Sequence, residues 1–597
     1  MQGRRALETS STPGPDEGCR ISKVLLATAM CTVLIVYSVV VAVLMARNPL
    51  GGALLPDDNK RVCAAEPLGI KLTSGFLLGH IIDVQEPQTP NVRAFLGVPF
   101  AQSTAGENRF RKPRPLDAVP GGHMNATTHG PPCSQPVLEG QTSVTSEDCL
   151  HMAIWTPGVC SQQDPLRPVL VLLQSEWFET GSNSAPESDG AYLSATGDIV
   201  VVAPNHRLGP FGFLNVKGTD ANVALHDVLL ALAWIRDNIA SFHGNPDNIT
   251  LLALDSGSII ATELLLNADA LTPFARRFVL LGLAATTWLP SNSFEKGNEN
   301  FMRLVEASGC RSSTVDEALA CLRRVPAQKI TEAAQKTRPP LRFVPSHGAE
   351  LLNKGGVKRE RIYDALQVLA GNTARDADSL FSGYGVASLA SSNFSRTLLE
   401  PIIASERYLN LLQLTTVSAQ DAAKLIDRLI SMFDLPVDPS SPIDVFELER
   451  VYNFQTSGGA GIRDMASDLL YVCPMLSLLR LLRDRRADVF HYVLNDGNYG
   501  GRTRSPKDPA SYHQVLLSGM PFKYQDKAYL QDASNKLISV VAAFVKDGAP
   551  SLLDNIRWPQ YGNSSISVLL DSRPHSSVVR NWRSSQCHTI SQVFGRV

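Results

Sequence analysis

Apolar positions along the chain fall into two kinds of run. One stands alone: residues 24–46 carry no charge, and a helix needs about 20 such residues to cross a bilayer. It reads as a transmembrane signal-anchor helix, since it is too long for a signal-peptide core and no Ala-x-Ala pattern follows it. The other runs are short and recur. Residues 166–173, 199–204, 249–252, 367–370 and 489–494 are apolar stretches of strand length, and 222–239 and 534–546 carry a helical period. Strands alternating with helices predict an α/β domain with a mostly parallel central sheet flanked by helices.

One junction says more than its period. The apolar run from Ile249 ends in Asp255-Ser256-Gly257, and a second apolar segment begins at Ala261, so the local prediction is strand, sharp turn, helix. A nucleophile elbow requires small residues two positions before and two after its apex. Ala253 and Gly257 flank Asp255 in this way, whereas an apex at Ser256 would set Leu254 against the following helix. The predicted apex is therefore Asp255, and serine is missing from it.

Composition and charge narrow the class. A net charge of -2 over 597 residues gives no footprint for nucleic acid, and the basic run at 480–486 is read as a solvated helix face. Of ten cysteines, Cys19 precedes the apolar span and Cys31 lies in it, which leaves Cys63, Cys133, Cys149, Cys160, Cys310, Cys321, Cys473 and Cys587 beyond it. An even set suits an oxidising compartment. Sequons at Asn125, Asn248, Asn393 and Asn563 lie on the same side, although Asn248 leads straight into the elbow strand. The expectation is a single-pass type II plasma-membrane protein: cytoplasmic tail 1–23, membrane helix 24–46, stalk 47–62 and extracellular domain 63–597, with the bilayer met through 24–46.

Several longer motifs then recur in order. They are Ala94-Phe-Leu-Gly-Val-Pro-Phe-Ala101 with Arg109-Phe110, Ser146-Glu-Asp-Cys149 running to Trp155-Thr-Pro157, Asn205-His-Arg207-Leu-Gly209-Pro-Phe-Gly212, Asn222 to Trp234, and Asn238 to Gly244. Together they resemble the type B carboxylesterases and cholinesterases, from about Gly75 to about Phe594. The resemblance implies an α/β-hydrolase fold, no metal and no cofactor, and disulfides Cys133–Cys149, Cys310–Cys321 and Cys473–Cys587. It leaves Cys63 and Cys160 over, and their pairing is a further expectation from the even count.

Acyl transfer in that family needs a nucleophile, a base, an acid to orient the base, and backbone N–H groups for the oxyanion. The nucleophile position holds Asp255. The oxyanion loop, glycine-rich in active relatives, reads Gln174-Ser175-Glu176-Trp177-Phe178, and its side chains restrict the backbone while Glu176 adds negative charge. Counting back from Gly519-Met520-Pro521 puts Ala510 at the histidine position, with His513 three residues on; the acid position falls at Asp376.

The expectation is an inactive cholinesterase-like domain that acts in cell-surface recognition or adhesion, similar to neurotactin and the neuroligins. It would bind an extracellular or cell-surface protein, and a homodimer through residues 571–594 is a second expectation. Two other readings stay open. One is a hydrolase with Asp255 as an alkyl-ester-forming nucleophile, as in haloalkane dehalogenases and epoxide hydrolases, with His513 activating water. The other is a folding or trafficking module of the secretory pathway.

Overall fold

The computed structural model describes residues 68–84, 91–136, 144–158, 164–216, 218–266, 270–285, 294–336, 343–347, 351–352, 363–377, 416–433, 443–494, 511–526, 528–551, 553, 556–570 and 576–594. The chain divides into two units, Met1–Ala64 and Ala65–Val597, and every described residue belongs to the second. The expected tail, membrane helix and stalk, with Cys63, Cys160, Asn393 and Ala510, lie outside the described residues.

A long mixed sheet organises the second unit. Its strands are β3 (His80–Ile82), β4 (Val92–Pro99), β6 (His151–Pro157), β7 (Arg167–Ser175), β8 (Val200–Pro204), β9 (Gly244–Asp255), β10 (Arg277–Leu281), β11 (Gln367–Thr373), β12 (Asp488–Leu494), β13 (Ile566–Leu570) and β14 (Ser577–Arg580). They lie in the order β14-β13-β12-β11-β10-β9-β7-β8-β6-β4-β3. A small separate sheet joins β1 (Gly69–Leu72), β2 (Gly75–Leu78) and β5 (His123–Asn125). Every pairing from β8 across to β13 is parallel, and only the two edges of the long sheet turn antiparallel. The mostly parallel expectation therefore holds for the middle of the sheet.

The continuous apolar runs are explained by cover on both faces. Along β7, Val169, Val171 and Leu173 join one core while Leu170 and Leu172 join the other, and along β9 Leu251 and Ala253 part from Leu252 and Leu254 in the same way. The first core takes in Leu225 and Ile235 of helix Val223–Asn238, Leu264 of Ser256–Leu266 and Leu479 of Cys473–Asp484. The second takes in Leu193 of Ala191–Gly197 with Leu537, Val541 and Phe544 of Ala528–Asp547. In register, Ser175 pairs with Asp255 and Leu281 with Leu254. The elbow thus emerges at the carboxyl end of the parallel strands, where open α/β sheets place their sites.

The three disulfides implied by the resemblance are present: Cys133–Cys149, Cys310–Cys321 and Cys473–Cys587. The last spans 114 residues, a loop whose closure stabilises by roughly 4–5 kcal/mol in a chain-entropy treatment. It ties helix Ser584–Val593 to the long helical stretch Gly459–Asp484. That stretch is apolar and long enough to span a bilayer, but most of it is buried in the domain. A π-helical turn, Asp468–Val472, interrupts it.

The basic run at 480–486 departs from the expected solvated face. Arg485 is buried, with its guanidinium 5.9 Å from the centre of the Tyr363 ring. The helix ends at Asp484, so the chain turns inward there and the helical phase no longer decides which way Arg485 points.

Candidate functional site

Strand β9 ends at Asp255 and a helix starts at the next residue, with no loop between them. That junction forces Asp255 to a left-handed φ of +49°, a conformation that aspartate tolerates better than most residues. The small neighbours are needed as the sequence argued. Ala253 is fully buried, and a Cβ on Gly257 would come 2.5 Å from the Leu173 carbonyl oxygen. Gly282, at φ +82°, lies under the carboxylate, where a Cβ would come 2.8 Å from Asp255 Oδ1.

Asp255 is half-buried and accepts no hydrogen bond from any described residue. Burial, with the charge of Asp376 added, pushes its pKa up to about 7. A carboxylate left without donors in a partly dry site is costly to ionise.

The neighbouring Ser256 is the best-connected hydroxyl of the site. It is fully buried, donates to the Ser175 carbonyl at 2.7 Å, accepts the Phe178 N–H at 2.9 Å and lies 2.9 Å from Ser175 Oγ. It therefore pins the loop after β7 to the elbow helix. In that loop Glu176 N–H donates to the Thr180 carbonyl at 2.8 Å. Two of the three N–H groups from Glu176 to Phe178 are thus spent inside the protein. Although neither is glycine, Trp177 and Phe178 take left-handed φ values of +52° and +63°. Such backbone strain costs on the order of 1–3 kcal/mol per residue and persists only where surroundings enforce it. Three strained residues, Trp177, Phe178 and Asp255, cluster at the elbow. The indole of Trp177 packs edge-on to Tyr471 at 6.3 Å, and Tyr471 belongs to the π-helical turn.

Gln174 connects this loop to the segment that follows the base position. Its Oε1 accepts the Gln514 side-chain N–H at 3.2 Å, and Gln514 closes a capping box with Ser511 at the start of helix Tyr512–Leu517. His513 sits in the first turn of the same helix and is buried, its ring edge-on to Tyr492 at 5.8 Å. Its Nε2 has no hydrogen-bond partner among the described residues, and burial pushes its pKa down to about 3. As a neutral imidazole against an apolar ring, it is held as a core residue.

Asp376 is satisfied by its own turn. It accepts from Asn372 Nδ2 at 2.9 Å, from the Thr373 N–H at 3.0 Å and from the Thr373 hydroxyl at 2.7 Å. Asn372 Oδ1 lies 3.2 Å from His491 Nε2, and His491 Nδ1 lies 2.7 Å from Ser567 Oγ. This buried chain, with His491 lowered to about 3 by burial, was not visible in the sequence, because it joins residues from β11, β12 and β13 that no motif links.

Glycosylation candidates differ in setting. Asn125 and Asn563 are exposed. Asn248 Oδ1 accepts from Arg277 Nη1 at 2.7 Å, and Thr250 of the same sequon is fully buried in β9.

A parallel sheet covered on both faces, with a strained elbow at the carboxyl end of a central strand, defines an α/β-hydrolase scaffold. The chain belongs to the carboxylesterase family, whose match covers residues 66–590. It is 31% identical to the cholinesterase of Mus musculus over 545 residues, 85% of this chain and 84% of that protein. It is 28% identical to acetylcholinesterase-1 of Trittame loki over 502 residues, 79% of this chain and 85% of that one. Thyroglobulin of Bos taurus matches at 35% identity over 270 residues, 44% of this chain and 10% of thyroglobulin.

Proposed function

We propose that this chain is a catalytically inactive member of its family that acts in recognition of an extracellular or cell-surface protein, held in the membrane by residues 24–46 with its carboxylesterase domain outside the cell. The reading rests first on Asp255. At the elbow apex stands a group whose acyl product would be an anhydride rather than a stable ester, and no described residue hydrogen-bonds to it. The spent donors of the oxyanion loop and the burial of His513 against Tyr492 support the same conclusion. The disulfides and the exposed sequons at Asn125 and Asn563 support an extracellular setting.

The aspartyl-nucleophile alternative is weakened by two features. A nucleophilic carboxylate must be ionised and a histidine must then activate water. Asp255 is pushed up to about 7 and His513 down to about 3, each away from its required role.

The full chain incubated with ester, epoxide and haloalkane substrates should show neither turnover nor a mass shift on the peptide carrying Asp255. The same protein should bind intact cell surfaces. Turnover that disappears in Asp255→Ala would sink the inactive reading, and failure to bind any cell or extracellular protein would remove the recognition role.

A further inference from the structure

Away from the elbow, two segments about 200 residues apart line an open cleft of about 680 Å3, within the range of about 300–1,000 Å3 usual for small-molecule sites. One wall is Phe110 to Arg114; the other is Asp316, Leu319 and Arg323 of helix Val315–Arg324, with Leu214 and Gly218 to Asp220 at the base. The walls are fixed in place. Buried Arg109 is ion-paired to Glu147 and donates from Nη1 to the Leu322 and Val325 carbonyls, which clamps the helix end to the first segment. Cys310–Cys321 ties the same helix to the segment before it. Such a cleft is preorganised and loses little freedom when filled.

Cationic side chains outnumber carboxylates along its lining. Arg111, Lys112, Arg114 and Arg323 line it against two carboxylates, Asp220 and Asp316, and Asp220 Oδ2 is turned to the Lys112 backbone N–H at 2.9 Å. Among the described residues, the Arg111 side chain pairs with the exposed Glu107, at 4.0 Å. Among the described residues, the Arg323 side chain donates one hydrogen bond, from Nε to the Arg109 carbonyl at 3.3 Å. The pKa of Arg323 is lowered by burial and then by the charge of Arg111, against the opposing charges of Glu107, Asp316 and Asp220. Two guanidiniums that line one concave site, each with part of its donor fork carrying no hydrogen bond among the described residues, suit a planar or tetrahedral oxyanion placed between them.

We propose that this cleft binds a small organic anion carrying sulfate or phosphate groups, bridged between Arg111 and Arg323. The site is independent of the elbow and of the proposed recognition role. The volume admits a sugar-sized ligand, and the two acids set a limit on how much negative charge is accepted.

The test is calorimetric titration of the full chain in a neutral detergent with a sulfated disaccharide, with inositol hexakisphosphate and with an unsulfated disaccharide. Either charged probe should bind and the neutral sugar should not, and the sulfate and phosphate arms identify the source. Arg111→Gln and Arg323→Gln should each weaken binding by about tenfold. Asp316→Asn should strengthen it by about threefold, because it removes a competing charge. Arg580→Gln, on the edge strand β14, should change nothing. The proposal fails if neither charged probe binds the folded protein, if Arg111→Gln and Asp316→Asn leave affinity unchanged, or if Arg580→Gln weakens it as much. Should Arg323→Gln lower the unfolding temperature, the Arg111 and Asp316 variants carry the test, since both side chains reach solvent.

Discussion

Two carboxylates of the same domain differ in how the scaffold pairs them. Asp227, fully buried in helix Val223–Asn238, meets Arg207 in a fork, with Oδ1 at 2.6 Å from Nη2 and Oδ2 at 2.8 Å from Nε, and also accepts the Arg207 N–H at 3.0 Å. Asp255, at the elbow, is half-buried and accepts nothing from the described residues, and burial pushes it up to about 7. A buried charge is tolerable when paired and hydrogen-bonded, and otherwise it neutralises. The acid in the helix is therefore fully paired, while the acid at the elbow apex accepts no hydrogen bond from the described residues.

The comparison predicts opposite signs for two substitutions. Arg207→Ala leaves Asp227 buried without its partner and should cost about 3–5 kcal/mol, read as a lower denaturant midpoint. Asp255→Asn should do the reverse. Its folded pKa lies above the ordinary value, so the unfolded chain ionises first and ionisation works against the fold as pH rises from about 4 through about 7. The variant should gain roughly 2–4 kcal/mol at pH 8 and almost nothing near pH 4, measured by urea unfolding at both. If the gain were equal at the two pH values, relief of charge would not be its cause.

Ser256→Ala sharpens the contrast within the elbow. Its hydroxyl is the tie between the strained Trp177–Phe178 turn and the helix, and its loss leaves the Phe178 N–H buried without an acceptor. The expected cost is about 1–3 kcal/mol, together with faster amide exchange at Phe178. Unchanged exchange there would mean that the turn is held by the Gly209 N–H, which donates to the Phe178 carbonyl at 2.7 Å.

What the sequence disclosed and what it hid have separate physical causes. The elbow apex was legible because sterics at Ala253 and Gly257 admit one register only, and the buried strands were legible because cover on both faces makes them continuously apolar. The disulfides came through the resemblance. The Ser256 tie joins residues 81 apart, and no local pattern signals it. The strain at Trp177 and Phe178 was hidden for a related reason: side chains there argue against left-handed backbone, yet tertiary hydrogen bonds impose it. His513 and Arg485 were misleading or ambiguous because each sits at a helix end, where period ceases to fix direction.

The smallest effect separates the elbow helix from the elbow itself. Glu263, buried on helix Ser256–Leu266, lies 3.0 Å from His347 Nε2, whose pKa is raised chiefly by that hydrogen bond. A raised histidine contributes stability that is fully present below its unfolded value of 6.5 and is lost as pH rises through the folded value. The His347 side chain is 30% exposed, so solvent screens the pair and the contribution should be only about 1 kcal/mol. His347→Gln should therefore destabilise at pH 6 and be nearly neutral at pH 8.5, whereas Asp255→Asn stabilises most where the histidine effect has gone. Since the two residues act on opposite ends of one pH range, the double variant should show both changes added. A departure from additivity would place His347 and Asp255 in a single coupled network.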